Sequence, residues 1–237
     1  MLAVTILCVA TVNARRRARV VSCSNNLRMV GLAFENYYSA YSHFPSPSYG
    51  NHSWRIRCLP FVMASPMYAE YDFSKTWDSP SNVDLDIRKL LGKGGNLHTF
   101  NYPYGIPCGG ANHPSTVSYL MITGTNAFGH SAGFRRKSEI TDGLSETIAA
   151  AETSRDDIHW LSPVDFEMDT MPFTVDTGPD SISSDHPNGP GVVFADGEVY
   201  RLDRTIPPST LKAMLTIDGG EMIDRQTLVR DGWLHLP

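Results

Sequence analysis

The chain has 237 residues, 41% hydrophobic and 19% charged, with a net charge of −5; this composition supports a folded core and excludes wholesale disorder. Arg15, Arg16, Arg17, Arg19 and Arg28 all precede the first acid, Glu35, so the first thirty residues are basic and the remainder is strongly acidic. An acidic body excludes broad nucleic-acid binding, which needs a cationic face to displace phosphate counterions.

Residues 1–12, MLAVTILCVATV, are apolar on every side. They are too few to span a bilayer, which takes about 20 apolar residues, and no basic stretch precedes them as in a signal peptide. From residue 20 a stripe appears: Val20, Cys23, Leu27, Val30, Phe34, Tyr37 and Tyr41 recur at helical spacing. This predicts one long helix over about residues 2–43, ended by Pro45 and Pro47, with its lower half packed as core.

The body then reads as short strands and loops. In HSWRIRCLPFV (52–62), Trp54, Ile56 and Cys58 alternate as in a strand. Residues 83–95 suggest a short helix closed by glycines, and 96–116 a loop. TVSYLMITG (116–124) is β-rich. SEITDGLSETIAAAE (138–152) allows helix through its alanines, but reads better as a turn at Asp142-Gly143 followed by a strand. Residues 162–190 read mainly as loop. GVVFADGEVYRL (191–202) places two β-rich arms around Asp196-Gly197, a pair that favours a type I′ hairpin. PPSTLKAML (207–215) reads as a short helix opening on proline. The expected class is α+β, with a pilin-like long N-terminal helix packed on an antiparallel sheet, long loops and a short C-terminal helix.

Several segments resemble a large bacterial family best known from planctomycetes. Its marks are a type IV pilin-like start and a C-terminal signature of His, nine residues, then Asp-Gly. Here His186, PNGPGVVFA and Asp196-Gly197 fit that spacing. ARRRARVVSCSNNLRMVGLAFENYYSAYSHFP (14–45), WRIRCLPFV (54–62), YDFSKTWDSPSN (71–82), SYLMITG (118–124) and EITDGLSETI (139–148) carry the rest. The resemblance implies a hydrophobic helix that anchors or polymerises and a globular head that faces outward. The family is also catalogued under a solute-binding heading. Its members begin with a basic leader, a prepilin cleavage site and a longer apolar segment. This chain departs from that pattern, so residues 1–13 read as a truncated anchor and 14–237 as one pilin-like domain. The expected location is the cell envelope, anchored if an upstream segment exists and soluble if it does not.

Asp196-Gly197 has a sufficient structural task in the hairpin, and His186 in the preceding loop can hydrogen-bond near the turn; a catalytic His–Asp pair is the sharper alternative. Gly129-His130-Ser131-Ala132-Gly133 matches the nucleophile-elbow string, but without the strand before and the helix after that an elbow requires. No zinc or EF-hand motif is present. Asp176, Asp180 and Asp185 lie in one loop and offer oxygen ligands for Ca²⁺, though such loops are more often solvated. Cys23 on the stripe and Cys108 in a loop that can pass over it are the pair expected if an exported chain forms a disulfide. Trp54, Tyr71 and Trp77 belong to an aromatic cluster that lines either a solute cleft or the core.

The reading is therefore a non-enzymatic pilin- or pseudopilin-like envelope protein without a cofactor. Its partners would be other copies or pilin-like subunits, with membrane contact through residues 1–20 and no nucleic acid. An extracytoplasmic solute- or glycan-binding protein is the alternative, and a serine hydrolase at Ser131 the remote one.

Overall fold

The computed structural model describes residues 2–62, 65–83, 85, 116–130 and 133–237, with side chains from residue 14 onward. The expected helix over 83–95, the loop over 96–116, Cys108 and Ser131 lie outside the described residues, apart from a few positions at the edges.

Helix α1 runs Leu2–Tyr41. Two two-residue strands follow, β1 (Ser48–Tyr49) and β2 (His52–Ser53), paired with each other. Next come α2 (Trp54–Cys58), a 3₁₀ turn at Leu59–Val62, α3 (Ser65–Glu70) and α4 (Pro80–Val83). The main sheet comprises β3 (Tyr119–Thr123), β4 (Ile148–Glu152), β5 (Phe166–Glu167), β6 (Gly191–Phe194), β7 (Val199–Leu202) and β8 (Leu234–His235). Helices α5 (Pro208–Leu215) and α6 (Arg225–Arg230) lie between β7 and β8. The six strands run in the order β5-β3-β4-β6-β7-β8. Only the β3–β5 pair is parallel. The chain is therefore an α+β protein with an antiparallel-dominated sheet, as the sequence predicts. Every residue of β3, β4 and β6 is buried, so layers cover both faces of the sheet centre. This is why these segments read as nearly unbroken apolar runs.

The stripe on α1 packs where its spacing directs it. Val20, Cys23, Leu27, Val30 and Phe34 are all buried against the sheet and α2, whereas Tyr41 at the end of the stripe is exposed. Full burial of a Leu, Val or Phe side chain contributes roughly 1.5–3 kcal/mol, so this half of α1 is firmly held. The closest approach is at Gly31. A Cβ there would lie 2.8 Å from Gly197 Cα and 2.9 Å from Val193 Cγ2. Glycine thus sets the distance between helix and hairpin. A Gly31→Ala chain is expected to lose about 1–3 kcal/mol by overpacking, despite alanine's higher helix propensity. Urea unfolding monitored by circular dichroism checks this.

Two local expectations need correction. Residues 54–62 are helical, although Trp54, Ile56 and Cys58 alternate. Ser53 adopts an extended conformation and its side chain accepts from Arg55 N, which caps α2 and starts the helix. The alternation also lacks a consistently exposed face, because Arg55 is as buried as the three apolar residues and only Arg57 is partly exposed.

The second correction concerns the hairpin, which is present with Val193 opposite Val199. Its turn is not type I′. Among the described residues, positive φ outside glycine occurs at Ser42 and Asp176, so Asp196 keeps a negative φ. Gly197 has φ +86°, its N–H donates to Phe194 O, and Phe194 N donates to Glu198 O. This is the three-residue loop, a type I-like turn closed by a left-handed glycine bulge.

A buried ion pair ties α2 to the sheet. The Arg55 guanidinium donates to Asp165 Oδ1 at 2.8 Å and to Tyr119 O at 2.9 Å, and both charged side chains are essentially inaccessible. Trp54 Nε1 and Met121 N donate to the same carboxylate oxygen.

Candidate functional site

The signature histidine leads to a closed polar centre between α1 and the sheet. β4 ends on Glu152 after a run of isoleucine and alanines, with Tyr119 opposite it on β3. On the other side β6 begins with Gly191. Gly191 N donates to Glu152 Oε2 at 2.8 Å. A side chain at Gly191 would meet Leu27 Cδ1 at 2.6 Å and Glu152 Cδ at 3.3 Å, so glycine leaves room here for both the helix and the carboxylate.

Arg201 on β7 closes the centre. Its Nη1 donates to Gly189 O at 2.8 Å and reaches Glu152 Oε2 at 3.4 Å. Its Nη2 donates to Val20 O and Ser24 Oγ on α1, each at 3.2 Å. One guanidinium fork therefore joins sheet, loop and helix. Tyr119 Oη adds a bond to Cys23 O at 3.2 Å. The loop carrying His186 is fixed by Arg204, whose Nη2 donates to His186 O at 2.6 Å and whose Nε pairs with Asp176.

His186 Nε2 faces Glu152 Oε1 at 3.6 Å. The ligating atoms of Cys23, Glu152 and His186 all lie within 4.8 Å of one another, and all three residues are buried. Among the described residues, this is the group of His, Cys, Asp and Glu side chains arranged to hold a metal ion. A thiol, an imidazole and a carboxylate together make a donor set for a borderline-soft cation.

The other residues singled out in the sequence disperse. His186 does not reach the turn. It sits at the Gly191–Arg201 end of the hairpin, while Asp196 at the opposite end pairs with Arg225 at 2.8 Å. A His186–Asp196 catalytic pair is thereby excluded. Asp176 and Asp180 pair with different arginines, Arg204 and Arg155, and Asp185 is exposed. Trp54 is fully buried beside Phe34, with ring centroids 5.1 Å apart. Tyr71 is buried with its hydroxyl 2.7 Å from His52 Nδ1, and Trp77 stacks on His159. Cys23 lies in the polar centre; its expected disulfide partner Cys108 is outside the described residues. Glu152 and Arg201 escaped the sequence reading. The signal available for them was a charge set inside an otherwise apolar strand, a residue type rarely buried without a partner.

Apart from this centre, an open surface cavity of about 460 Å³ lies beside the His186 loop, lined in part by Asn188, Arg204 and His235. No described helix is long and apolar enough to cross a membrane. A family model described as "Protein of unknown function (DUF1559)", filed under a solute-binding heading, matches residues 12–174. No curated protein and no solved structure gives a significant match.

Proposed function

This chain belongs to the DUF1559 family of unknown function, and we propose that it is a non-enzymatic, pilin-like protein of the cell envelope. In this reading its N-terminal helix makes contacts outside the head. The carrying observation is how α1 is used. It is 40 residues long, about 60 Å at 1.5 Å per residue. Among its described side chains, burial begins only at Val20, and residues 14–18 are all exposed. The described part of the helix just ahead of the head thus offers Arg15, Arg16 and Arg17 to a neighbouring surface. Anionic headgroups attract such a cluster by about 1 kcal/mol per basic residue close to the membrane. In this reading the acidic head meets the partner subunits.

The test uses the full chain. With Arg15, Arg16, Arg17 and Arg19 all changed to alanine, binding to vesicles containing anionic lipid is expected to fall at least roughly tenfold. Crosslinking from position 18 to other copies, or to pilin-like subunits in the native envelope, is expected to fall with it. Unchanged vesicle binding and absent crosslinks would refute this use of the helix.

A second reading, solute binding, is favoured by the 460 Å³ cavity beside Arg204 and His235 and by the family heading. It predicts saturable binding of a small polar solute by the full chain, unaffected by the four arginine substitutions. The aromatic cluster gives it no support, because Trp54 and Tyr71 are core residues.

A further inference from the structure

We propose that Cys23, Glu152 and His186 form a zinc site that fastens α1 to the sheet. The three ligating atoms come from separate parts of the fold: α1, the end of β4, and the loop before β6. They meet within 4.8 Å of one another in a buried centre. The second observation is Glu152 itself. Its Oε2 is committed to Gly191 N and Arg201 Nη1. Its Oε1 is fully buried and accepts no hydrogen bond among the described residues, yet points at His186 Nε2. A buried carboxylate oxygen left in this state is costly. A cation held between it, the imidazole and the thiolate removes that cost.

The donor set selects the metal. A thiolate excludes the hard cations Ca²⁺ and Mg²⁺, which prefer oxygen alone. One sulfur, one nitrogen and one carboxylate oxygen suit Zn²⁺. With Zn–S near 2.3 Å and Zn–N and Zn–O near 2.0–2.2 Å, tetrahedral ligand atoms lie roughly 3.3–3.6 Å apart, a spacing that His186 Nε2 and Glu152 Oε1 already approach at 3.6 Å, so loading draws in only the wider pairs. Water supplies the fourth ligand. Loading breaks the Cys23 S–H bond, forms a S–Zn bond and releases the proton to solvent. The thiolate and carboxylate together balance the charge of Zn²⁺. Arg201 stays on Oε2, outside the metal's shell, and orients the carboxylate. Because a proton leaves, affinity should fall as pH falls.

The experiment titrates the reduced full chain with Co²⁺ as a spectroscopic probe, then displaces it with Zn²⁺. One Co²⁺ per chain with a thiolate-to-cobalt charge-transfer band is expected, and Zn²⁺ should abolish the band and raise Tm. Cys23→Ser should remove the band. His186→Ala, which leaves the Glu152–Arg201 contact in place, should weaken Co²⁺ uptake roughly tenfold or more with an unchanged far-ultraviolet spectrum. Three results would overturn the site: no thiolate band in the folded, reduced chain; a band that survives Cys23→Ser; or wild-type affinity in His186→Ala. A chain isolated with a Cys23–Cys108 disulfide that takes up no Co²⁺ after reduction overturns it as well.

Discussion

Replacing Asp165 by alanine is expected to lower the free energy of unfolding by about 3–5 kcal/mol, the cost of leaving a buried charge without its partner. Three donors from two elements, α2 and β3, converge on Asp165 Oδ1: Trp54 Nε1 at 3.1 Å, Arg55 Nη2 at 2.8 Å and Met121 N at 2.9 Å. Burial pushes the Asp165 carboxyl above its ordinary range and pulls the Arg55 guanidinium below its own, while each charge opposes the other's shift. The two charges are therefore tolerable only together. Removing one strands the other in a site where both side chains are buried. Asp165→Asn keeps an acceptor at Oδ1 and should lose less, so the gap between the two variants reports the charge. Joint replacement, Arg55→Met with Asp165→Leu, should be milder than Asp165→Ala alone, because a buried pair exchanged for apolar groups is often close to neutral. Equilibrium unfolding in urea measures all three. An Asp165→Ala chain within 1 kcal/mol of the wild type would show that the pair does not hold α2 to the sheet.

Arg55 also explains the misread segment. Trp54, Ile56 and Cys58 alternate with period two, the spacing of a half-buried strand. Alternation diagnoses a strand only when the intervening residues face water, and Arg55 faces Asp165, which lies 110 positions downstream. No local pattern carries that partner. The α1 stripe was legible for the converse reason. Its period is set within the helix, and any sheet face covers it equally well. The hairpin arms were legible too, but an Asp-Gly pair serves more than one turn. Their difference rests on the φ of Asp196, which local sequence does not specify.

The polar centre divides in the same way. Cys23 and His186 drew notice as a stripe residue and a signature residue, each for a separate reason. What joins them is Glu152, brought beside Gly191 by the β4–β6 pairing and reached by Arg201 from β7. The pairing register is set by contacts far apart in the chain. The sequence shows only that both charges fall in apolar strands. The signature's spacing now has a physical meaning. Its nine intervening residues carry the chain from the His186 end of the hairpin along β6 to the Asp196-Gly197 turn, where Gly31 of α1 approaches. Its two halves therefore lie beside the same helix at two separate points, near Cys23 and at Gly31.

Arg201→Ala is expected to cost about 3–5 kcal/mol and, more distinctively, to loosen α1 from the head. The guanidinium reaches Glu152 Oε2, Gly189 O, Val20 O and Ser24 Oγ. Alanine removes all four contacts and leaves the buried Glu152 carboxylate with Gly191 N as its hydrogen-bond donor among the described residues and His186 Nε2 at 3.6 Å. The helix is held along its length by Leu27, Val30 and Phe34, so it should stay docked there. It should open first around Val20 to Ser24, where Arg201 was its polar clasp. Hydrogen exchange is the deciding measurement. Amides near residues 20–27 should lose protection by a larger factor than those near Phe34. Uniform loss along α1 would mean that the fork stabilises the fold as a whole and does not clasp this end of the helix. Arg201→Lys separates charge from geometry. A lysine keeps the charge beside Glu152 but cannot fork to the helix and the Gly189 carbonyl together. It should restore much of the global stability and little of the protection at residues 20–24.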